Sequence, residues 1–187
     1  MAKNAEIGRV LEPFRAYLRV LAQVHLDARL RGKLEPSDVV QQTLLRACAG
    51  FDDLRGREPG LVAAWLRKIL ARTLADAVRD LERAKRDIGR ERSLQDAVDQ
   101  SASALEAWLA ADQSSPSEKA ERNEQLVRLA DALCRLPDDT REAVLLKHCR
   151  DWTLAEIADQ LGRTPQAVAS LLHRGLKQLR ELLHEGE

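Results

Sequence analysis

The chain has 187 residues, enough for one medium domain or two small ones. Its 30 basic and 30 acidic residues cancel to a formal net charge of zero, which excludes a uniformly basic nucleic-acid binder but leaves segregated charge open. Hydrophobic residues make up 44% and aromatics 3%, with 9 Gly and 6 Pro, so the expected product is long helices around a core of Leu, Ala and Val. No apolar run is long enough to span a membrane, and Met1 to Val10 has no signal-peptide core, so the expected location is cytoplasmic. Cys48, Cys134 and Cys149 lie in amphipathic runs with no C-x-x-C spacing, which favours buried reduced thiols over disulfides or zinc ligands.

Residues 1–94 read as one helical module. A first helix carries Val10, Phe14, Leu18 and Leu21 at helical spacing. Gly32 to Glu35 interrupts it. Pro36-Ser37 opens a second helix, which Gly50 closes. Asp52 to Gly60 is a loop, and a long third helix runs from about Leu61 towards Arg92. Residues 95–123 read as a linker with some helical character, broken most clearly at Asp112 to Ser117. A second helical module occupies residues 124–187, divided at Leu136-Pro137 and Gly162. The fold class expected is therefore all-α, in two modules.

The second module carries a helix-turn-helix pattern. Thr153-Leu-Ala-Glu156 is a capping box, in which the Thr side chain accepts from the N3 amide and Glu156 reaches back. Leu154, Ile157, Ala158 and Leu161 form one apolar face. Gly162 ends that helix, and Thr164-Pro165 restarts the chain as an N-cap followed by proline at N1. The next helix sorts by angle. Val168, Leu171, Leu172, Gly175, Leu176 and Leu179 face one way, while Gln166, Ser170, His173 and Lys177 face the other, with Arg174 beside them. The outward set, with Arg163 and Thr164 at the turn, has the hydrogen-bonding types that reach base edges and phosphates. His148, His173 and His184 have no carboxylate or cysteine set at ligand spacing, so no metal is expected.

The third helix of the first module also has two faces. Leu66, Ile69, Leu70, Thr73, Ala77 and Leu81 point inward. Lys68, Arg72, Arg79, Arg83 and Arg86 form an outward basic stripe that suits a phosphate backbone. Trp65 beside it either stacks on an unpaired base or belongs to the core. On the second helix, Val40, Leu44, Ala47, Cys48 and Phe51 are expected to bury. Asp38, Gln41, Gln42, Leu45 and Ala49 lie opposite. An outward Leu among polar neighbours marks a protein-docking surface.

These segments resemble the sigma-70 family, in its extracytoplasmic-function group. Asp38-Val-Val-Gln-Gln-Thr43 is similar to the D-L-V-Q-E-T of region 2. Trp65-Leu-Arg-Lys-Ile69-Leu-Ala-Arg-Thr73 resembles its W-L-x-x-I-A-x-N. Leu136-Pro-Asp-Asp-Thr-Arg141-Glu142 and Ser170-Leu-Leu-His-Arg174-Gly175 resemble the opening and close of region 4. The resemblance implies a sigma factor with no catalytic activity and no cofactor. Its partners would be core RNA polymerase and promoter DNA, duplex and melted, with an anti-sigma factor left open and no membrane. Asp38, Gln41, Gln42 and Leu45 would dock on the clamp helices of the largest polymerase subunit. Asp52 to Gly60 and the Lys68/Arg72 helix would engage the minus-ten element during melting, and the Thr164 to Lys177 helix would read the minus-thirty-five element. Gln42 stands for the usual Glu and Thr73 for the common Asn. Ala169 and Leu171 stand where the family often has Lys and Arg, so this recognition helix carries less positive charge.

The rival readings are a stand-alone helix-turn-helix regulator and an anti-sigma or adaptor protein that binds polymerase but not DNA. The first lacks dimerising heptads or a sensor domain. The second does not account for the basic stripe. An enzyme has no support from a phosphate-binding loop, a zinc-protease helix or a nucleophile elbow.

Overall fold

The computed structural model describes residues 2–26, 34–51, 59–82, 88–112 and 119–184, with side chains for 7–26, 34–51, 61–79, 93–108 and 123–184. Among these residues the structure is helical, without strands. Helix α1 spans Ala2–Leu11 and α2 spans Arg15–His25, with a short 3-10 turn at Glu12–Phe14 between them. The single first helix expected is thus divided. Pro13 supplies no amide hydrogen and its ring crowds the preceding turn. Helix α3 is Pro36–Ala49 and α4 is Pro59–Glu82. Helices α5, Ile88–Asp112, and α6, Lys119–Arg135, follow. The chain closes with α7, Asp138–Arg150, α8, Leu154–Leu161, and α9, Pro165–His184.

Helix α2 is the central rod. Tyr17, Leu18, Val20, Leu21, Ala22 and Val24 are all buried, so the helix is apolar around most of its girth. It packs against α3, α4, α5, α6 and α7. One hydrophobic core runs from Ile7 through Leu70 and Leu133 to Leu179. A smaller cluster of Ala143, Leu146, Ile157, Ala158 and Val168 underlies α8 and α9. Within the stretch read as a linker, residues 95–112 belong to α5. Val98, Ser101, Ala102 and Leu105 bury one side of it at i, i+3, i+4 and i+7.

A polar seam joins α2 and α5 to α7. Arg141 is buried and donates from Nε to Gln23 Oε1 at 2.8 Å. Its Nη1 reaches the carbonyls of Cys134 at 3.3 Å and Leu136 at 3.0 Å, and the guanidinium also pairs with Asp138. His25 Nε2 lies 3.1 Å from Ser101 Oγ. Burial, helped by the charge of Arg150, pushes the His25 imidazole down to about 4. Trp108 stacks on His148 with ring centroids 4.3 Å apart and planes 5° from parallel. Burial, then the Lys147 charge, lowers the His148 imidazole as well. Next to the seam, Arg67 bonds Asp99 Oδ1 at 2.7 Å and the Tyr17 hydroxyl at 3.1 Å. Among the described residues no buried side-chain polar atom lacks a partner.

Two apolar assignments need correction. Cys48 is exposed, not buried, while Cys134 and Cys149 are half-buried. The buried stripe of α3 is Val39, Val40, Thr43, Leu44 and Ala47. Thr43 joins it because its hydroxyl donates to the Val39 carbonyl at 2.7 Å, and this turns the stripe away from Cys48. Leu154 is exposed as well, since the buried part of α8 begins one turn later, at Ile157 and Ala158.

Candidate nucleic-acid and polymerase interface

The helix-turn-helix is built by local chemistry. Thr153 accepts the Glu156 amide at 3.3 Å, and Glu156 Oε2 accepts the Thr153 amide at 2.7 Å, which satisfies two donors that the helix start leaves open. Gly162 adopts φ 62°, the left-handed conformation that glycine tolerates without a Cβ clash. The Arg163 amide then bonds back to the Ala158 carbonyl at 2.9 Å, closing α8. Thr164 Oγ1 accepts the Ala167 amide at 3.2 Å and Pro165 opens α9. Gly175 is required where α9 crosses α7. A Cβ there would lie 2.7 Å from Thr140 Cγ2 and 3.0 Å from Val144 Cγ2.

On α9, Val168, Gly175 and Leu179 are buried, and Leu171, Leu172 and Leu176 are half-buried. Gln166, Ser170, His173, Arg174 and Lys177 are all exposed along one side. Their contacts are local. The Ser170 hydroxyl donates to the Gln166 carbonyl at 3.1 Å, Arg174 Nε donates to the Ser170 carbonyl at 3.3 Å, and Lys177 stands 4.0 Å from Glu181. Thr164 and Arg163 are exposed at the turn, with Arg163 paired to Asp139 of α7. Ala169 is also exposed, so the outer face there carries a methyl group.

On α4, Lys68 and Arg72 are exposed, whereas Arg79 is not the outward cation its angle predicts. It is half-buried, and its Nη1 bonds Asp76 Oδ1 at 2.8 Å. The other oxygen of Asp76 holds Arg46 of α3 at 2.7 Å. Burial raises the Asp76 carboxyl, but the hydrogen bonds from Arg46 and Arg79 outweigh it and hold the group below its usual value. Asp76 and Arg46 escaped the sequence reading; the i, i+3 spacing of Asp76 and Arg79 was the available signal. Arg83 and Arg86 fall outside the described residues, as do residues 52–58 of the loop. Trp65 is half-buried, packs on the core and lies against Gly50, which is the core alternative for that residue.

On α3, Asp38, Gln41, Gln42, Leu45 and Ala49 are all exposed, and Leu45 is 56% accessible. The structure thus presents three outward surfaces: the side of α9, the Lys68/Arg72 part of α4, and the face of α3 around Leu45. No helix among the described residues is long and apolar enough to cross a membrane.

Residues 126–179, which contain α8, the turn and α9 as far as Leu179, match the family model described as Sigma-70, region 4. The chain is 36% identical over 167 residues to the RNA polymerase sigma factor CarQ of Myxococcus xanthus, an alignment that takes in 88% of this chain and 84% of that relative. It is 32% identical over 186 residues to the ECF RNA polymerase sigma factor SigG of Mycobacterium tuberculosis, over 95% of this chain and 48% of SigG, so it spans about half of that protein. Similarity to the ECF RNA polymerase sigma factor SigL of the same species is 30% over 151 residues, 81% of this chain and 76% of SigL.

Proposed function

Since this chain belongs to the sigma-70 family as an extracytoplasmic-function RNA polymerase sigma factor, we propose that its three outward surfaces divide the work of promoter recognition. Such a factor is a non-enzymatic polymerase subunit, so its residues act by binding. The outer side of α9, with Gln166, Ser170, His173, Arg174 and Lys177, lies in the major groove of the minus-thirty-five element, and Arg163 and Thr164 approach its phosphates. The Lys68/Arg72 surface of α4 follows the backbone of the minus-ten element as it melts. Asp38, Gln41, Gln42 and Leu45 dock on the clamp helices of the largest polymerase subunit. Residues 1–94 and 124–187 serve as the two gripping units, with 95–123 between them, in the cytoplasm.

The observation that carries this reading is the coincidence of the region 4 match with a helix-turn-helix whose first helix is capped at both ends, whose second is capped at its start, and whose polar side is exposed. It is tested on the full chain with purified core polymerase. Leu45→Asp should lose core binding while keeping the parent melting temperature, because burying one leucine contributes roughly 1.5–3 kcal/mol to docking. Gln166→Ala and Arg174→Ala should keep core binding and weaken particular positions of the upstream element by about 1–3 kcal/mol each. Normal core binding by Leu45→Asp refutes the docking face. An unchanged sequence preference in both α9 variants refutes the recognition helix.

A further inference from the structure

Arg79 shares a face with Lys68 and Arg72 by helical angle, and it is half-buried in an ion pair. Asp76 stands one turn before it on the same helix and uses one carboxylate oxygen for Arg79, at 2.8 Å. The second oxygen is taken at 2.7 Å by Arg46, which follows Leu45 directly on α3. Arg46 Nη1 also lies 3.4 Å from Thr73 Oγ1, and the Thr73 hydroxyl donates to the Ile69 carbonyl at 2.8 Å. The three charged side chains are only 40%, 31% and 25% accessible for Arg46, Asp76 and Arg79, so the cluster is partly shielded from water and salt. Two cations on one carboxylate leave a net charge of one. A phosphate approaching Arg79 has to compete with Asp76 for its Nη1.

We propose that Asp76 is a positioning residue that withholds Arg79 from nucleic acid by fastening it to Arg46 of the polymerase-docking helix. The inference rests on the reading of the outer face of α4 as a nucleic-acid surface. In this arrangement the sequence-independent grip of α4 comes from Lys68 and Arg72, and the internal counter-ion keeps it low. That matters for a protein choosing a few sites among many, because the ratio of specific to non-specific binding governs occupancy.

The test measures affinity of the full chain for a fluorescein-labelled single strand of random sequence across a salt series. On single strands each phosphate-neutralising cation adds about 0.7 to the slope of log affinity against log salt. Asp76→Asn should bind more tightly and steepen that slope by about 0.7 to 1.4, as one or both guanidiniums are released. Arg79→Gln should leave the parent slope unchanged, but should take back about 0.7 in the Asp76→Asn background. A purely structural role for Asp76 lowers the melting temperature without producing this coupling. An Arg79→Gln loss of equal size in both backgrounds overturns the proposal, because Arg79 then reaches phosphate with Asp76 in place. The Arg79→Gln arm in the parent needs no change at Asp76, so a lowered slope there overturns the proposal even where Asp76→Asn does not fold. The combined Lys68→Gln and Arg72→Gln variant is the control. A lowered slope there with none of the Asp76 effects sinks the inference alone, and no change there sinks the α4 reading beneath it.

Discussion

The outer side of α9 and the seam between α2, α5 and α7 hold similar kinds of polar side chain. On α9, Gln166, Ser170, Arg174 and Lys177 are exposed and touch residues within about a turn of themselves. In the seam, Gln23, His25, Ser101 and Arg141 meet partners from distant parts of the sequence, and water is largely excluded from them. The same chemical groups therefore act as a ligand surface in one place and as a fastening in the other. What separates the two uses is the cost of leaving a partner unmet. An exposed amide loses one contact and regains water, whereas a buried one keeps its desolvation penalty.

Three perturbations sharpen this contrast, and their order of size is the test. The largest belongs to Arg141→Ala, which removes the donor to Gln23 Oε1 and to two carbonyls in a buried site. Breaking such a group costs about 3–5 kcal/mol, read from urea or thermal unfolding of the full chain. A loss under about 1 kcal/mol would mean that the seam behaves like a surface.

Next comes acidification. The His25 imidazole sits at about 4 in the folded chain, against 6.5 for the free side chain. The unfolded chain therefore takes up the proton first as pH falls. The His25 contribution to stability is complete above pH 6.5 and drains away between 6.5 and about 4, by on the order of 3 kcal/mol. His148 is shifted the same way and adds to the loss. The check is the difference in unfolding free energy between the parent and His25→Gln across that window; parallel profiles would remove His25 from the explanation.

The smallest effect is local. Thr153→Ala removes the acceptor for the Glu156 amide in an exposed cap and should cost about 1 kcal/mol. Its melting temperature should fall by less than a third of the Arg141→Ala shift. Equal shifts would erase the distinction between local and distant partners.

The same distinction decides what was legible in the sequence. The capping box at Thr153, the left-handed Gly162, the Thr164-Pro165 restart and the exposed sides of α3 and α9 all depend on residues a few positions apart, and the structure places them as expected. Cys48 was misplaced because an angle on a helical wheel says nothing of Thr43 entering the core, and Arg79 because the i, i+3 signal of Asp76 was passed over and the packing that brings Arg46 to the same carboxylate is not local. Gln23, His25 and Arg141 gave no sign of meeting others across the seam, since their partners are set by how α2, α5 and α7 pack. The helical character of residues 95–112 was visible, but the burial of Val98, Ala102 and Leu105 in the common core was not.

Gln23 and Arg141 are 118 positions apart. On a translating ribosome that separation is a delay. At 5–20 residues per second, Gln23 is made roughly 6–24 seconds before Arg141. Until then the central helix lacks the packing surfaces that α6 and α7 later give it. Helical chains usually fold quickly because their contacts are near in sequence. Here the central helix is made early and completed late, so the nascent chain is most open to chaperones and to aggregation at its own eventual centre.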